Sequence, residues 1–460
     1  MANQIVTLNV SQTQAPTPNT LLKMGAFISM GATSLSAGSY SLLTQQSSLA
    51  TLFAPALALA SLSWSGGTVL ATAAAPLTGW NVGDTFLTTI AGATPTGYNG
   101  LVLATVTGTT TFTYPLAVNP GAETVAGTFT PGNQGELSAM NTTFWSQGSS
   151  VPVYVLELGP ADGATGPTAL SAWIAANPGV FYSYLVPASW DAQTSFGALI
   201  AQFESLTAKT QFWVTTTLNT YAFYTAQMND VWALIQAPAA PATEFTCAAP
   251  FYVSLNYAPS STNKMTPFAF SYVYGVTAYP TQGNSTLLAN LKAANINVIG
   301  LGSEGGISNT ILFWGTTMDG MDFTWWYSID WAQINCDLAV ANAVINGSNN
   351  PLAPLLFNQQ GINVLQQVAT QTLKNAVTYG LATGTVVTQA LDPNTFATNV
   401  QNGTYPLSIV INAVPFLTYT TQNPSAYKQG IYGGLQAVYI PSVGFKIIIF
   451  NINVTSILTQ

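Results

Sequence analysis

The sequence predicts an α/β fold, α+β overall, with a small inserted antiparallel β domain and extended arms at both ends. Apolar strand-like runs alternate with helical segments between residues 136 and 301, which is typical of βαβ units around a mainly parallel sheet. A stretch punctuated by Thr and Gly lies ahead of this pattern. The two ends of the chain carry short, nearly uncharged apolar runs. These three observations carry the prediction.

The helices are predicted from apolar periodicity and the strands from short apolar runs. Predicted helices cover residues 136–147, 168–176, 193–206, 221–235, 287–295, 324–344 and 362–380. Predicted strands cover residues 152–158, 181–188, 211–217 and 297–301, and the tail from residue 405 is strand-like. The helix over 362–380 is amphipathic and is expected to end at Gly380 as a C-cap.

Residues 62–132 have a different texture, with short alternating runs at 84–90, 101–106 and 111–116 separated by Gly, Pro and Asn. Short strands at such regular spacing, with turn residues between them, are typical of a small antiparallel β unit. Because the α/β pattern continues on either side, this unit is predicted to be an insertion.

These patterns divide the chain into four predicted regions. They are an N-terminal arm (1–22), an α/β core (23–61 plus 133–358), an inserted β domain (62–132) and a C-terminal domain (359–460) that ends in a strand-forming arm. The most apolar window, residues 49–64, contains Pro55 and is shorter than the roughly 20 residues that a membrane span needs. We predict a buried helix there and no membrane insertion. The N-terminus has neither a basic nor an apolar signal region, so no secretory signal is expected.

The composition excludes several classes of chemistry. The chain has no histidine and no arginine, and only 7 lysines stand against 15 acidic residues. Without histidine there is no Ser-His-Asp or Cys-His relay and no imidazole zinc site. The lysines are scattered singly, so the sequence offers no basic stripe for direct nucleic-acid binding. No cofactor and no enzymatic activity are predicted, and the composition favours a structural role.

The two apolar ends are the candidate sites for contacts between subunits. A long, nearly uncharged strand with few protective charges is a template for pairing with another chain. The C-terminal strand is either buried in its own domain or takes part in assembly, and a second strand near the N-terminus favours exchange between copies. The candidate intersubunit strand residues are Ile5, Val6, Leu8, Val10, Phe445, Ile447, Ile449 and Ile452.

The acidic residues offer two further interpretations. Asp319, Asp322 and Asp330 form the only concentration of carboxylates, but Met321 and Phe323 interrupt the alternating ligand pattern of a calcium loop. The favoured interpretation is a turn followed by an acidic residue near a helix start. A glycosidase can work with two carboxylates, so Glu304 with Asp319 or Asp322 is the alternative pair. We nevertheless predict no catalytic residues and no metal-binding residues.

The aromatic and cysteine residues also leave alternatives open. The aromatic cluster could form core packing, a contact between subunits or a ligand platform, with core packing favoured. It comprises Trp314, Phe323, Trp325, Trp326, Tyr327 and Trp331. Cys247 and Cys336 lack metal-ligand spacing and are expected to be two buried free thiols rather than a disulfide.

The order of several segments resembles a known family. LTQQSSLATLF and ELSAMNTTFWSQGSSVPVYVLEL are followed by YGVTAYPTQGNSTLLANLKAANINVIG, WGTTMDGMDF, SIDWAQINCDLAVANAV and GINVLQQVATQTLKNAVTYGLATG. This series is similar to the contractile tail sheath proteins of phages over residues 40–60 and 130–385. The stretch from Asp84 to Tyr114 also resembles a small β module of phage structural proteins. The chain departs from the family in its scarcity of Lys and Arg and in Gln333 and Asn335, where longer polar residues are usual.

The resemblance implies a virion structural protein. Such a subunit would form a homo-oligomer of stacked rings or a helical sheath around a tail tube, with partners that include the tube protein and the baseplate and tail terminator proteins. It would assemble in the host cytoplasm and contract to drive the tube through the host envelope during genome delivery. The alternatives from other classes are a surface-layer or adhesin-type structural protein and a glycoside hydrolase that uses only carboxylates.

Overall fold

The computed structural model describes residues 21–204, 210–224, 228–280, 284–302 and 309–445. The chain divides into two compact units. The larger unit contains Leu21–Asp330 and Thr378–Ala382, with residues 441–445. The smaller unit contains Trp331–Val377 and Thr383–Ile440.

The strands and helices of the described residues are numbered here in chain order. The strands are β1 (Gly25–Ser29), β2 (Tyr40–Leu43), β3 (Leu57–Ser65), β4 (Thr68–Ala73), β5 (Thr85–Ala91), β6 (Gly100–Val106), β7 (Thr111–Pro115), β8 (Thr128–Phe129), β9 (Val153–Glu157), β10 (Ser183–Leu185), β11 (Gln211–Thr216), β12 (Val231–Ile235), β13 (Asn297–Leu301), β14 (Thr310–Phe313), β15 (Thr385–Gln389), β16 (Ser408–Ala413) and β17 (Leu435–Val438). The helices are α1 (Gln134–Ser146), α2 (Gly166–Ala176), α3 (Thr194–Phe203), α4 (Ala248–Leu255), α5 (Ser285–Ala293), α6 (Phe323–Ser348), α7 (Gln359–Thr378), α8 (Pro393–Gln401), α9 (Phe416–Gln422) and α10 (Pro424–Lys428).

The larger unit is built on an eight-stranded sheet with the order β14-β13-β12-β11-β10-β1-β9-β2. The six central strands are parallel, and β2 and β14 are antiparallel edge strands. Every residue of β1, β11 and β12 is buried, because continuous apolar strands need helices on both faces of a parallel sheet. The predicted α/β fold class is confirmed.

Two layers of side chains cover the faces of this sheet. On one face, α2, α3 and α5 pack Leu170, Phe196 and Leu291 into a core with apolar residues of β11, β12 and β13. On the other face, the ring of Trp213 lies 4.7 Å from Trp232 and 5.2 Å from Phe323 at the start of α6. The sheet is therefore sandwiched between helices, as its sequence pattern requires.

The predicted β insertion is a closed barrel of six strands in the order β3-β4-β7-β6-β5-β8. Its interior holds Phe86, Phe112 and Phe129, all less than 5% exposed, and the ring centroids of Phe112 and Phe129 are 5.2 Å apart. The first barrel strand pairs with the last, with Leu57 opposite Phe129. The chain therefore enters and leaves the barrel at neighbouring positions.

The buried helix predicted over residues 49–64 is wrong. A 3-10 helix covers Gln46–Thr51, and β3 begins at Leu57. The pairing of β3 with β4 shifts register between Leu59 and Ser61, and the buried residues on either side of this bulge are Leu59 and Leu62. A bulge adds one residue to a strand, so it produces the spacing of three that the sequence pattern shares with a helix.

Two other predicted elements also differ from the structure. The helix predicted over 221–235 is a 3-10 helix at Tyr221–Phe223 and the strand β12, because a fully apolar run of central strand has no period that separates it from a buried helix. The tail from residue 405 contains α9 and α10 as well as two strands.

The smaller unit contains α7, α8 and a three-stranded sheet with the order β15-β16-β17. The central strand β16 pairs in parallel with β15 and antiparallel with β17. Helix α8 begins after Asp392, whose carboxylate accepts hydrogen bonds from the backbone N–H groups of Asn394 and Thr395. The sequence prediction began this region at residue 359, whereas the compact unit begins at Trp331.

Candidate functional site

Of the predicted intersubunit strand residues, one lies in the described part of the chain. Phe445 is 80% exposed, at the last described position. Ile5, Val6, Leu8, Val10, Ile447, Ile449 and Ile452 lie outside the described residues.

The segment before Phe445 is docked through its backbone. The N–H of Ser442 donates to the carbonyl of Leu381 over 2.9 Å, and Pro441 forms a β-bridge with Ala382. Gly444 lies so close to Pro267 that a Cβ at this position would be 2.4 Å from the proline Cβ. The chain is held up to Gly444, and the ring of Phe445 projects into solvent.

The three-stranded sheet of the smaller unit has two outer strands. The N–H of Thr385 donates to the carbonyl of Leu407 over 3.1 Å, on the side of β16. Because backbone groups alternate sides along a strand, the N–H groups of Val386 and Thr388 point away from β16. In the described part of the chain, no strand pairs with this side of β15. No strand was predicted here from the sequence, although the run TVVTQ has the β-branched composition of a strand.

The two edge strands of the eight-stranded sheet, β14 and β2, differ in what covers them. At β14, the segment 270–273 covers the edge, with Phe270 N–H donating to the Leu312 carbonyl over 2.7 Å and Leu312 N–H donating to the Ser271 carbonyl over 3.0 Å. At the other edge, β2 carries Tyr40 and Leu42, which are 47% and 44% exposed. An exposed edge with apolar side chains is a surface to which another chain can add.

The carboxyl ends of the central strands are where α/β proteins commonly place ligands. Here the buried carboxylate of Glu157 accepts five hydrogen bonds. The donors are Ser29 Oγ at 2.5 Å, Gly31 N at 2.7 Å, Thr33 N at 3.1 Å, Thr33 Oγ1 at 2.7 Å and Gly159 N at 2.8 Å. These bonds tie the loops after β1 and β9 together, so Glu157 serves the architecture of this edge.

The carboxylates of the predicted acidic group, Asp319, Asp322 and Asp330, also accept hydrogen bonds within the protein. Asp319 accepts hydrogen bonds from Thr317 Oγ1, Met321 N and Trp326 Nε1, and Asp322 accepts from the N–H and hydroxyl of Thr324 at the start of α6. Asp330 accepts from the hydroxyl of Tyr182 over 2.8 Å. No group of three or more Asp, Glu or Cys side chains suited to a metal ion occurs within the described ranges. Glu304, the partner considered for a glycosidase pair, lies outside them.

The aromatic cluster divides between buried and partly exposed positions. Trp314, Phe323 and Tyr327 are buried in the larger unit, which agrees with the core packing favoured from the sequence. Trp325, Trp326 and Trp331 keep intermediate exposure. The Nε1 of Trp326 donates to Asp319 over 2.8 Å.

Both cysteines are free thiols, with Cys247 buried and Cys336 of intermediate exposure. Burial raises the pKa of both thiols, that of Cys336 to about 11. The described helices include none that combines the length and the apolar character of a membrane span.

Glu136 is a carboxyl group whose environment shifts its pKa. Glu136 in α1 accepts a hydrogen bond from the backbone N–H of Ala188 over 2.7 Å. Burial raises the pKa of Glu136 from 4.5 to about 7, although its hydrogen bonds with Ala188 and Asn133 act in the opposite direction. Because of this raised pKa, we expect the stability of the larger unit to depend on pH.

Comparison with known proteins shows likeness in structure. No protein-family model matches the chain, and no curated protein matches it. A chain in the cryo-EM structure of the anti-feeding prophage baseplate, symmetrised sixfold, is 12% identical, with a TM-score of 0.51; the match covers 98% of this chain and 99% of that one.

Two sheath tail proteins are also similar in structure. One, from Listeria innocua, is 8% identical with a TM-score of 0.40, and the match covers 78% of this chain and 85% of that one. The other, from Desulfitobacterium hafniense, is 10% identical with a TM-score of 0.36, covering 82% and 90%. The likeness to the baseplate chain, which covers 98% of this chain, shows that the two share a fold.

Proposed function

We propose that this chain is a structural subunit of a contractile phage tail sheath, without enzymatic activity. The observation that carries the proposal is the likeness to the baseplate chain, which extends over 98% of this chain and 99% of that one. The resemblance of the sequence segments to sheath proteins points in the same direction. The subunit polymerises around a tail tube, with the tube protein, the baseplate and the tail terminator as its partners.

The subunits are linked by strand exchange. The N-terminal run from Ile5 to Val10 and the C-terminal run from Phe445 to Ile452 pair with strands of neighbouring copies. Two features support this proposal: the exposed ring of Phe445 and the outward N–H groups of β15. Main-chain pairing needs no ion pairs, which suits a chain with only 7 lysines and 15 acidic residues.

Contraction is a rigid-body rearrangement of these linked subunits. A lattice can change its helical geometry when subunits rotate while flexible connections keep them joined. The N-terminal and C-terminal runs provide such connections, and the packed α/β core and barrel move as bodies. The assembled sheath drives the tube through the host envelope for genome delivery; the subunit resides in the virion and assembles in the host cytoplasm.

Electron microscopy of the purified full-length chain tests this function. We expect tubes or stacked rings of tail width; planar lattices or stable monomers would contradict it. Deleting residues 1–15 or 445–460 should leave a subunit with unchanged circular dichroism that no longer polymerises. Tubes formed by both truncated chains would show that the arms are not the links.

A position in the baseplate is the second candidate, because the full-length structural match is to a baseplate chain. A baseplate component closes into a single ring, whereas a sheath subunit adds ring upon ring. The length distribution of particles at increasing protein concentration separates the two: sheath tubes lengthen, and a baseplate ring keeps its size.

A further inference from the structure

Three polar residues form a row across the amino ends of adjacent central strands. Ser183, the first residue of β10, pairs with Gln211, the first residue of β11. Phe212 pairs with Val231, so Gln211 is in register with Asp230, which directly precedes β12. Residues that pair in a sheet point to the same face, and neighbouring strands lie about 4.8 Å apart. The three side chains therefore share one face.

The oxygens of this row have no hydrogen-bond partner in the described part of the chain. They are Ser183 Oγ, Gln211 Oε1 and both carboxylate oxygens of Asp230. The three residues are 0%, 3% and 1% exposed, so bulk water does not solvate them. Buried oxygens without a donor or a cation are costly, which indicates that the row binds something.

Glu204 adds a fifth oxygen to the row. Its Oε1 accepts from the N–H of Asn229 over 2.8 Å, and Oε2 has no partner. The amide Nε2 of Gln211 donates to the carbonyl of the same Asn229 over 3.3 Å. Glu204 and Gln211 thus converge on the residue before Asp230.

We propose that the amino ends of β10, β11 and β12 form a buried cation site in which Asp230, Glu204, Gln211 and Ser183 bind Ca²⁺ through oxygen atoms. Carboxylate, amide and hydroxyl oxygens are hard ligands of the kind this ion takes, and it accepts irregular geometry. The charge of Ca²⁺ balances the two carboxylates, whereas Ser183 and Gln211 are uncharged and cannot balance them. A single water molecule donates only two protons and would leave acceptors unsatisfied.

Trp213 and Trp232 provide a spectroscopic probe for this site. Each lies two residues further along its strand from Gln211 and from Asp230, on the same face of the sheet. Tb³⁺ that replaces Ca²⁺ in the site should therefore luminesce when tryptophan is excited. With the full-length chain, we expect sensitised Tb³⁺ luminescence that CaCl₂ displaces, and a melting temperature that rises with CaCl₂.

The variants separate this site from other carboxylates. Asp230→Asn should abolish the displaceable luminescence and the Ca²⁺-dependent rise in melting temperature. Glu204→Gln keeps an oxygen for Asn229 N–H and should weaken the apparent Ca²⁺ affinity by about tenfold or more. Asp392→Asn, an exposed helix cap, is the control and should behave like the unmodified chain. If Asp230→Asn does not fold, Glu204→Gln carries the test.

Other outcomes would overturn the proposal. Luminescence that is equal in the unmodified chain and in Glu204→Gln would place Tb³⁺ elsewhere. A melting temperature that does not respond to Ca²⁺, together with a stability gain in Asp230→Asn, would mean that the carboxyls share a proton. Lys209 lies outside the described residues. If Lys209→Gln lowers the melting temperature as much as Asp230→Asn does, and Ca²⁺ changes the melting temperature of neither variant, an ammonium group neutralises the row instead of a metal ion.

Discussion

The inserted barrel and the three-stranded sheet of the smaller unit are both small β structures, but the barrel is closed and the sheet has open edges. Each strand of the barrel has two neighbours, because β3 and β8 close the ring. In the three-stranded sheet only β16 has two neighbours among the described residues. A closed barrel has no edge to which another strand can add, whereas an open sheet has two.

The side chains follow the same division. Barrel strands β4 and β5 alternate buried and exposed residues, which fills the interior of a small barrel. In the three-stranded sheet, five of the six residues of β16 are buried, and β15 and β17 have none. This chain therefore combines a closed β barrel with a second sheet whose two outer strands pair with no further strand among the described residues.

The largest expected effect comes from blocking the open edge. Thr388→Pro removes an N–H that points away from β16, so the fold should survive because proline is tolerated at outward positions of edge strands. If β15 accepts an arm from a neighbouring subunit, polymers should disappear from electron micrographs. Thr388→Ser keeps the N–H and should polymerise normally.

Two results would contradict the proposal that β15 accepts a strand from a neighbouring subunit. Normal tubes from Thr388→Pro would show that β15 receives no strand, and the partner edge would have to be sought at β17 or β2. Loss of tubes together with loss of the folded circular dichroism spectrum would mean that the variant acts on folding, in which case Val386→Pro repeats the test at the other outward position.

The barrel should respond to a change in its interior and leave assembly intact. Phe112 is fully buried, and the centroid of its ring lies 5.5 Å from that of Phe86 and 5.2 Å from that of Phe129. Phe112→Ala should lower the free energy of unfolding by about 3–5 kcal/mol, because it removes apolar contacts and leaves a cavity. Thermal unfolding measures this loss, and Val118→Ala, at a 75% exposed position, should change it little. Tubes that vanish below the melting temperature of Phe112→Ala would tie the barrel to assembly.

A smaller effect is expected from Glu136. Because its pKa is raised from 4.5 to about 7, the folded chain binds more protons than the unfolded chain in that window. Stability therefore falls as pH rises from about 4.5 to 7. Glu136→Gln should remove this contribution and be more stable than the unmodified chain at pH 8 by about 1–2 kcal/mol. Urea unfolding at pH 5 and pH 8 measures the difference; an equal difference at both pH values would contradict the raised pKa.

The smallest effect is expected from salt. Strand pairing between backbones does not depend on charged side chains, and the chain carries only 7 lysines and 15 acidic residues. The mass of sedimented polymer should change little between about 0.05 and 0.5 M NaCl, a range that screens surface ion pairs. Polymers that dissolve in this range would show that ion pairs hold the subunits together.

The sequence was most informative where its period was clean. The α/β alternation predicted α1, β9, α2, α3, β11 and β13 to within a few residues. It failed at β3, where a bulge imitates a helical spacing, and at β12, where five buried residues show no alternation. The arms stay a prediction, because Phe445 is the only one of their candidate residues among those described.

The polar row could not be predicted, for a different reason. Ser183, Gln211 and Asp230 are far apart in sequence and belong to no motif. They come together only through the register of three parallel strands. A local pattern carries no information about register between distant strands, so a site of this kind becomes visible only in the fold.

The closure of the barrel has a consequence for engineering. Because Leu57 and Phe129 are paired neighbours, the insertion leaves and rejoins the core at adjacent positions. The barrel region also covers part of the core, since β5 packs against α1 and Asn81 Nδ2 donates a hydrogen bond to Asp162. A cargo whose termini lie side by side, such as a fluorescent reporter or a small antigen, matches these two ends, but its exchange for the barrel would expose the core surface that the barrel covers. Each copy of the chain has one such attachment point, and we expect the exchange to lower the stability of the core.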